Sequence, residues 1–134
     1  MKTQARWLAD SGRTACAVTF DQTALTVDID PAAGGSGEAP SPHDLLDAAL
    51  ASCTTLTLQL YIKRKGFDVR SIEVDVTHAK GADGALVMTR TLQVTGTLND
   101  EQKASLLRIA DACPVHKSLT GEIRVVNVEQ FSAA

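Results

Sequence analysis

The chain has 134 residues, a formal net charge of −3 and 44% hydrophobic residues, values typical of one soluble globular domain over residues 1–134. The slightly acidic balance argues against a nucleic-acid binder, because such proteins need a basic face. We expect no membrane span, and the first twenty residues lack the apolar core of a secretion signal. The three cysteines are therefore expected to be reduced thiols in the cytoplasm, with Cys16 inert in a strand.

Three short strands are predicted ahead of a flexible loop. β-branched and aromatic residues cluster at 3–9, 14–20 and 24–30, with turn residues between these segments. The segment 31–40 is rich in Gly and Pro, which marks a loop. It is not a domain boundary, because the roughly 30 residues before it are too few to form a domain.

The clearest predicted element is a helix from Ser41 to Lys65. Ser41 is a favourable N-cap, Pro42 suits the first helical position, and Asp44 completes a capping-box-like pair with Ser41. Three basic residues before Gly66 suit the C-terminus of the helix. One apolar face is expected to be buried, namely that of Leu46, Ala49, Leu50, Cys53, Leu56 and Leu60. Because the helix is so long and apolar, a second chain is expected to cover part of it.

The rest of the chain is predicted as two strands, two helices and a final strand. A hairpin joins a strand around Ile72–Val76 to a strand over 86–98. Asn99 caps a helix with Gln102 at its third position, a short helix runs from Pro114 to Thr120, and a strand covers 122–131. The full order β-β-β-α-β-β-α-α-β predicts an α+β fold, with antiparallel sheets packed against a long central helix.

Two cysteines lie at positions that admit more than a packing role. Cys53 lies on the apolar stripe, where a free cysteine is commonly a small core residue. Cys113 directly precedes a proline, so it is expected either to cap the short helix, whose dipole favours a thiolate, or to be an ordinary helix-break residue. Cys53, Cys113 and His116 offer three metal ligands, but structural zinc sites usually contain two closely spaced pairs, so no metal site is predicted. His116 is expected to cap a surface turn or to support Cys113, and the other two imidazoles, His43 and His78, are expected to be solvated.

Two segments resemble motifs of the OsmC/Ohr family. Residues 41–53 (SPHDLLDAALASC) are similar to the helix that carries the family's peroxidatic cysteine, and residues 111–119 (DACPVHKSL) resemble its second cysteine motif. The resemblance implies an OsmC-like fold and an intertwined homodimer whose two sites are built from both chains at the interface. It also implies a thiol peroxidase that reduces organic hydroperoxides to alcohols in oxidative-stress defence.

By this resemblance, Cys53 is the nucleophile that becomes a sulfenic acid, and Cys113 is the resolving thiol that forms a Cys53–Cys113 disulfide with it. An external dithiol, for instance of lipoyl type, then reduces the disulfide. No bound cofactor is expected, because the sequence contains no phosphate-binding glycine motif.

The family also uses an arginine from the N-terminal strands, held by a carboxylate at the start of the long helix. Arg13 is the best match, with Arg6 and Arg90 as alternatives, and Asp44 is the matching carboxylate. His43 stands where the peroxidase subgroups carry Glu, so the chain looks closer to the short OsmC-like branch. The alternative function is a non-catalytic or redox-sensing dimer that binds an apolar ligand in the interface cleft.

Overall fold

The computed structural model begins with a three-stranded antiparallel sheet. It describes residues 1–133, so that Ala134, the last residue of the predicted domain, lies outside the described residues. The strands pair in chain order, and they are β1 (Gln4–Arg6), β2 (Cys16–Thr19) and β3 (Ala24–Val27). Their positions confirm the three predicted strands, although each strand is shorter than expected. A 3₁₀ turn at Ala9–Ser11 lies between β1 and β2.

The long helix α1 runs over Pro42–Lys65, as predicted. At its start, Ser41 N–H donates to Asp44 Oδ2 (2.8 Å) and Asp44 N–H donates to Ser41 Oγ (3.2 Å), which satisfies two backbone donors that a helix leaves free. At its end, Gly66 adopts φ 69°, and Phe67 N–H reaches back to the carbonyl of Ile62 at 3.1 Å. A glycine suits this position because a side chain would strain the left-handed backbone.

The buried face of α1 matches the predicted apolar face only in part. Leu50, Thr54, Leu58 and Ile62 are the buried positions, spaced four residues apart along one side of the helix. Leu56 and Leu60, which were expected inside, are 59% and 64% exposed. The helix is apolar on most of its circumference, so periodicity alone does not identify the side that one chain covers.

Two long strands and two helices follow α1. β4 (Asp68–Lys80) and β5 (Leu86–Thr97) form a two-stranded sheet, closed by a turn in which Gly81 N–H donates to the Ala85 carbonyl at 2.8 Å. α2 covers Asp100–Asp111 and α3 covers Pro114–Thr120. Asn99 and Gln102 exchange two hydrogen bonds at the start of α2, which confirms the predicted capping box.

Contacts divide the chain into two compact units. The first comprises Met1–Ala51 and Asp75–Thr91, and the second comprises Ser52–Val74 and the chain from Leu92 onward. In the first unit, Val18 and Val27 are the buried aliphatic residues of the three-stranded sheet. In the second, the core joins α1 to α2 through four buried residues, Leu58, Ile62, Leu106 and Ala110. The prediction of a single domain over 1–134 is not tested by this division and stays a prediction.

The predicted final strand over 122–131 is not formed. These residues carry no regular secondary structure, and the apolar side chains of Ile123, Val125, Val126, Val128 and Phe131 are 63–93% exposed. A strand is stable only beside another strand that satisfies its backbone hydrogen bonds, and this segment has no such neighbour within residues 1–133. The sequence pattern is that of a strand, but the single chain does not supply its partner.

By length and composition alone, α1 is apolar enough to cross a bilayer. Its best 18-residue window has a mean hydropathy of 1.3, and 22% of that window is buried. This finding does not contradict the expectation that no segment spans a membrane. The criterion is weak for one helix, because the core helix of a water-soluble protein also meets it.

Candidate functional site: a pair of thiols

Cys53 and Cys113 lie together in the second unit. α1 places Cys53 midway along its length, half-buried, with its Sγ 3.9 Å from Thr57 Oγ1. Cys113 is fully buried in the short connection between α2 and α3. A side-chain hydrogen bond joins the two thiols, although they are sixty residues apart in the sequence. We call Cys53 and Cys113 the thiol pair.

Cys113 is the N-cap of α3, as predicted. Its backbone is extended (φ −60°, ψ 137°), and its Sγ accepts the backbone N–H of His116 at 3.4 Å. A cap at this position satisfies one of the free amides at the start of the helix. His116 therefore supports Cys113 through its main chain, and the predicted role of its side chain at a surface turn stays a prediction.

The surroundings of Cys113 favour its thiolate. Burial raises the pKa of the Cys113 thiol, but hydrogen bonds from the His116 amide, the Cys53 thiol and the Thr54 hydroxyl act in the opposite direction and lower the pKa below its ordinary value. Thr54 Oγ1 donates to Cys113 Sγ over 3.8 Å. Sequence reasoning missed Thr54, because a threonine next to a cysteine in an apolar helix carries no distinctive motif.

The arginine candidates lie in the first unit. Arg13 is exposed and lines an open cavity of about 490 Å³ together with Thr14, Asp28, Ser36 and Glu38. Arg6 is exposed in β1. Arg90 is half-buried on the inward-facing side of β5, where the alternation of exposure confirms the predicted strand face. The roles of all three arginines stay predictions.

Asp28 organises the cavity beside Arg13, and the sequence did not reveal it. The carboxylate is buried and accepts hydrogen bonds from Thr14 Oγ1 (2.6 Å), Ile29 N–H (2.9 Å) and Ser36 N–H (3.1 Å). The bond from the Thr14 hydroxyl is the main reason that the pKa of Asp28 lies below its usual value. The side chain therefore ties the loop at 31–40 to the segment before β2.

Asp44 is part of the capping box of α1. The backbone N–H of Ser41 is the main cause of its lowered pKa, and the positive potential of His78 and His43 adds to this effect. The structure thus assigns Asp44 a local structural role. Its predicted role as the carboxylate that holds an arginine stays a prediction.

His78 is not the solvated residue that was expected. It projects from β4, is half-buried, and its Nδ1 lies 2.5 Å from Asp47 Oδ2 on α1. The hydrogen bond to Asp47 raises the pKa of His78, because the carboxylate stabilises the protonated imidazole. His43 stays exposed, as expected, but its ring lies beside that of His78, with 5.6 Å between centroids.

The side chains of the thiol pair lie close enough to form a hydrogen bond. A thiolate attacks an oxidised sulfur only when the two sulfurs are neighbours, so this proximity is the feature that bears on thiol chemistry. Cys53 is the more accessible sulfur, whereas Cys113 is enclosed and biased toward the thiolate. Their predicted roles as nucleophile and resolving thiol stay predictions. Cys16 lies apart from this chemistry, half-buried in β2 of the first unit.

The comparisons with known proteins point to one family. A sequence profile described as OsmC-like protein matches residues 35–127, more than half of the chain. The organic hydroperoxide resistance protein OhrB of Bacillus subtilis is 27% identical with a TM-score of 0.58, and the match covers 90% of both chains. The comparison with curated proteins gives no match.

Two further solved structures share the fold at lower identity. A Psychrobacter arcticus structure, named for osmotic stress induction and a detoxification response, is 24% identical with a TM-score of 0.75, and the match covers 88% of this chain and 87% of that one. The OsmC like protein of Mycoplasma pneumoniae is 20% identical with a TM-score of 0.73, and the coverage is 90% and 86%. These likenesses establish a mixed α+β fold with antiparallel sheets.

Proposed function

Because the chain belongs to the OsmC-like family, we propose that it is a thiol peroxidase that reduces organic hydroperoxides to alcohols. The observation that carries the proposal is the hydrogen-bonded contact between Cys53 and Cys113. The similarity to a protein named for organic hydroperoxide resistance supports the substrate class. The proposed role is defence against oxidative stress in the cytoplasm.

The first chemical step is oxidation of Cys53. Its thiolate attacks the distal oxygen of ROOH, the O–O bond breaks, and the alkoxide leaves and takes up a proton to give ROH. Cys53 then carries a sulfenic acid. Its position supports this assignment, because it is half-buried while Cys113 is shielded from solvent.

The second step is attack by Cys113. Its sulfur displaces hydroxide from the sulfenic acid of Cys53, which yields the disulfide and, with one proton, water. An environment that lowers the pKa of Cys113 suits this role, because the thiolate is the attacking species. An external dithiol, for instance of lipoyl type, then returns both sulfurs to thiols and becomes a disulfide itself; no bound cofactor is needed.

The protons of the thiol pair couple the two steps. The hydrogen bond from the Cys53 thiol lowers the pKa of the Cys113 thiol, and it gives a path for a proton to pass from Cys53 to Cys113. Transfer of that proton to Cys113 leaves Cys53 as the nucleophile. Asp44 lies nine residues before Cys53 on the same helix, about 13 Å away, so it cannot reach the Cys53 of its own chain. We propose that Arg13, held by Asp44, favours this transfer across the dimer by stabilising negative charge on Cys53 of the partner subunit, with Arg6 and Arg90 as alternative cations.

We propose that the working form is an intertwined homodimer whose two sites lie at the interface. Exposed apolar surface supports this, since Leu56 and Leu60 of α1 and the segment 122–131 lie open in the single chain. Such patches on one chain are typical of surfaces that a partner covers. The segment 122–131 would gain its missing hydrogen bonds by pairing with a strand of the second chain.

The test is single-turnover oxidation of the fully reduced chain by cumene hydroperoxide. We expect rapid loss of two of the three thiols and a Cys53–Cys113 link in peptide mass spectra. Cys113→Ser should stop at a sulfenic acid that reacts with dimedone, and Cys16→Ser, the matched control, should behave as wild type.

Thiols that survive excess hydroperoxide would refute the peroxidase. The remaining alternative is then a non-catalytic dimer that binds an apolar ligand, and ligand binding should survive replacement of both cysteines. Disulfide formation without sustained turnover in the presence of a dithiol would instead indicate a redox sensor.

A further inference from the structure

Two aspartates and a histidine converge in the first unit, separate from the thiol pair. Asp44 and Asp47 lie three residues apart, on one face of α1, and His78 reaches them from β4. One ligand atom from each lies within 4.8 Å of the others. We propose that this carboxylate–imidazole cluster of Asp44, Asp47 and His78 binds a divalent first-row transition-metal ion of the Zn²⁺ class.

The second observation is an oxygen without a partner. Asp47 Oδ1 is shielded from solvent and has no hydrogen bond within the described chain, while Oδ2 is bonded to His78. The side chain as a whole is 13% exposed. A buried carboxylate oxygen normally has a donor, because leaving it without one costs the desolvation of that oxygen with nothing to offset it. A cation at the cluster satisfies this oxygen.

The distances suit an ion after modest side-chain movement. Zinc lies about 2.0–2.2 Å from nitrogen and carboxylate ligands, which places neighbouring ligand atoms roughly 3.3 Å apart around a tetrahedron. The present separation of up to 4.8 Å closes by rotation of the aspartate side chains. Because Asp44 also caps α1 through Oδ2, it can stay in the capping box while it turns toward the ion.

The donor types decide the class of ion. Two carboxylates and one imidazole form a mixed oxygen and nitrogen set without sulfur, which suits Zn²⁺, Co²⁺ or Mn²⁺ and disfavours Cu⁺. The His43 ring, 5.6 Å from that of His78, is placed to add a second imidazole. The two carboxylates also balance the charge of a divalent ion, and the ion reduces the repulsion between Asp44 and Asp47.

A bound ion would cross-link α1 to β4, because its ligands come from both elements. It must replace the proton that His78 shares with Asp47, so binding should strengthen as pH rises. Asp30 is a further charge near His78, but it contributes no ligand atom to the cluster. The site contains no cysteine, so metal binding can be measured without the peroxidase reaction, and the failure of one proposal is distinguishable from the failure of the other.

The test uses Co²⁺ as a spectroscopic probe of the reduced, full-length chain. We expect one equivalent to produce weak visible d–d bands without the strong near-ultraviolet band of a thiolate ligand. Affinity should be higher at about pH 8 than at about pH 6. His78→Gln and Asp47→Asn should each weaken binding by about a hundredfold. Asp30→Asn, which removes a nearby charge but no ligand, should change it by less than about threefold.

Three results would overturn the proposal. One is the absence of visible bands with excess Co²⁺ on the wild-type chain, a measurement that requires no variant. Another is a strong sulfur charge-transfer band, which would place the ion at the thiols. The third is equal Co²⁺ binding by the wild type and Asp47→Asn. This near-isosteric change keeps a hydrogen-bond acceptor for His78, so it still tests the proposal if His78→Gln proves unstable.

Discussion

The thiol pair and the carboxylate–imidazole cluster are both built on α1, but their polar atoms are satisfied differently. Cys113 Sγ receives hydrogen bonds from the His116 amide, the Thr54 hydroxyl and the Cys53 thiol. In the cluster, His78 supports one oxygen of Asp47 and leaves the other without a partner. The donors to the Cys113 sulfur all come from the chain itself, which accords with the reaction proposed between the two thiols. In the cluster, Asp47 Oδ1 has no donor within the described residues, which accords with the metal ion proposed there.

The largest expected effect follows replacement of Cys53. Cys53→Ser should lower hydroperoxide turnover with a dithiol by about three orders of magnitude or more, because a serine hydroxyl is a far weaker nucleophile. Coupled consumption of dithiol measures it. Co²⁺ binding at the cluster should be unchanged, since Cys53 lies in the other unit. Turnover above about a tenth of wild type would mean that another group reduces the peroxide.

The next largest effect concerns the arginine that is proposed to activate Cys53. Arg13→Gln should lower kcat/KM for the hydroperoxide by about a hundredfold, because it removes one positive group that stabilises the nucleophile. Arg6→Gln and Arg90→Gln serve as matched controls and should stay within about threefold of wild type. If Arg90→Gln carries the loss instead, the half-buried arginine of β5 is the activating residue and Arg13 is a surface group.

Removal of one donor to Cys113 has a smaller effect. Thr54→Val keeps the shape of the side chain but deletes the hydroxyl that donates to Cys113 Sγ. The pKa of Cys113 should rise, and disulfide formation after sulfenic acid should slow by about three- to tenfold near neutral pH. Stopped-flow kinetics across pH measure both. Thr54→Ser retains the donor and should behave as wild type; equal slowing in both variants would instead point to packing.

The sequence predicted the thiol pair better than the cluster for a physical reason. Local rules locate Cys53 in a capped helix and Cys113 before a helix-initiating proline, and the family motifs bring the two together. The cluster depends on β4 placing His78 against α1, a contact between residues 31 positions apart that no local pattern encodes. The segment 122–131 shows the opposite failure, since its strand pattern is local but its hydrogen-bonding partner is absent from residues 1–133.

The smallest expected effect is on the pH dependence of stability, and it isolates the cluster. Asp47 raises the pKa of His78 through their hydrogen bond, so the folded chain holds this proton more tightly than the unfolded chain. The resulting stabilisation is fully present below the unfolded pKa of about 6.5 and is lost as pH rises through the higher folded value.

The free energy of unfolding should therefore fall more for wild type than for His78→Gln between about pH 5.5 and about pH 8, as measured by urea denaturation with EDTA present. His43→Gln, which alters the exposed neighbouring ring, should follow wild type. Parallel curves for wild type and His78→Gln would show that the contact between Asp47 and His78 does not persist in solution. With Zn²⁺ in place of EDTA the trend should reverse, because the ion competes with the proton and stabilises the folded chain more strongly at higher pH.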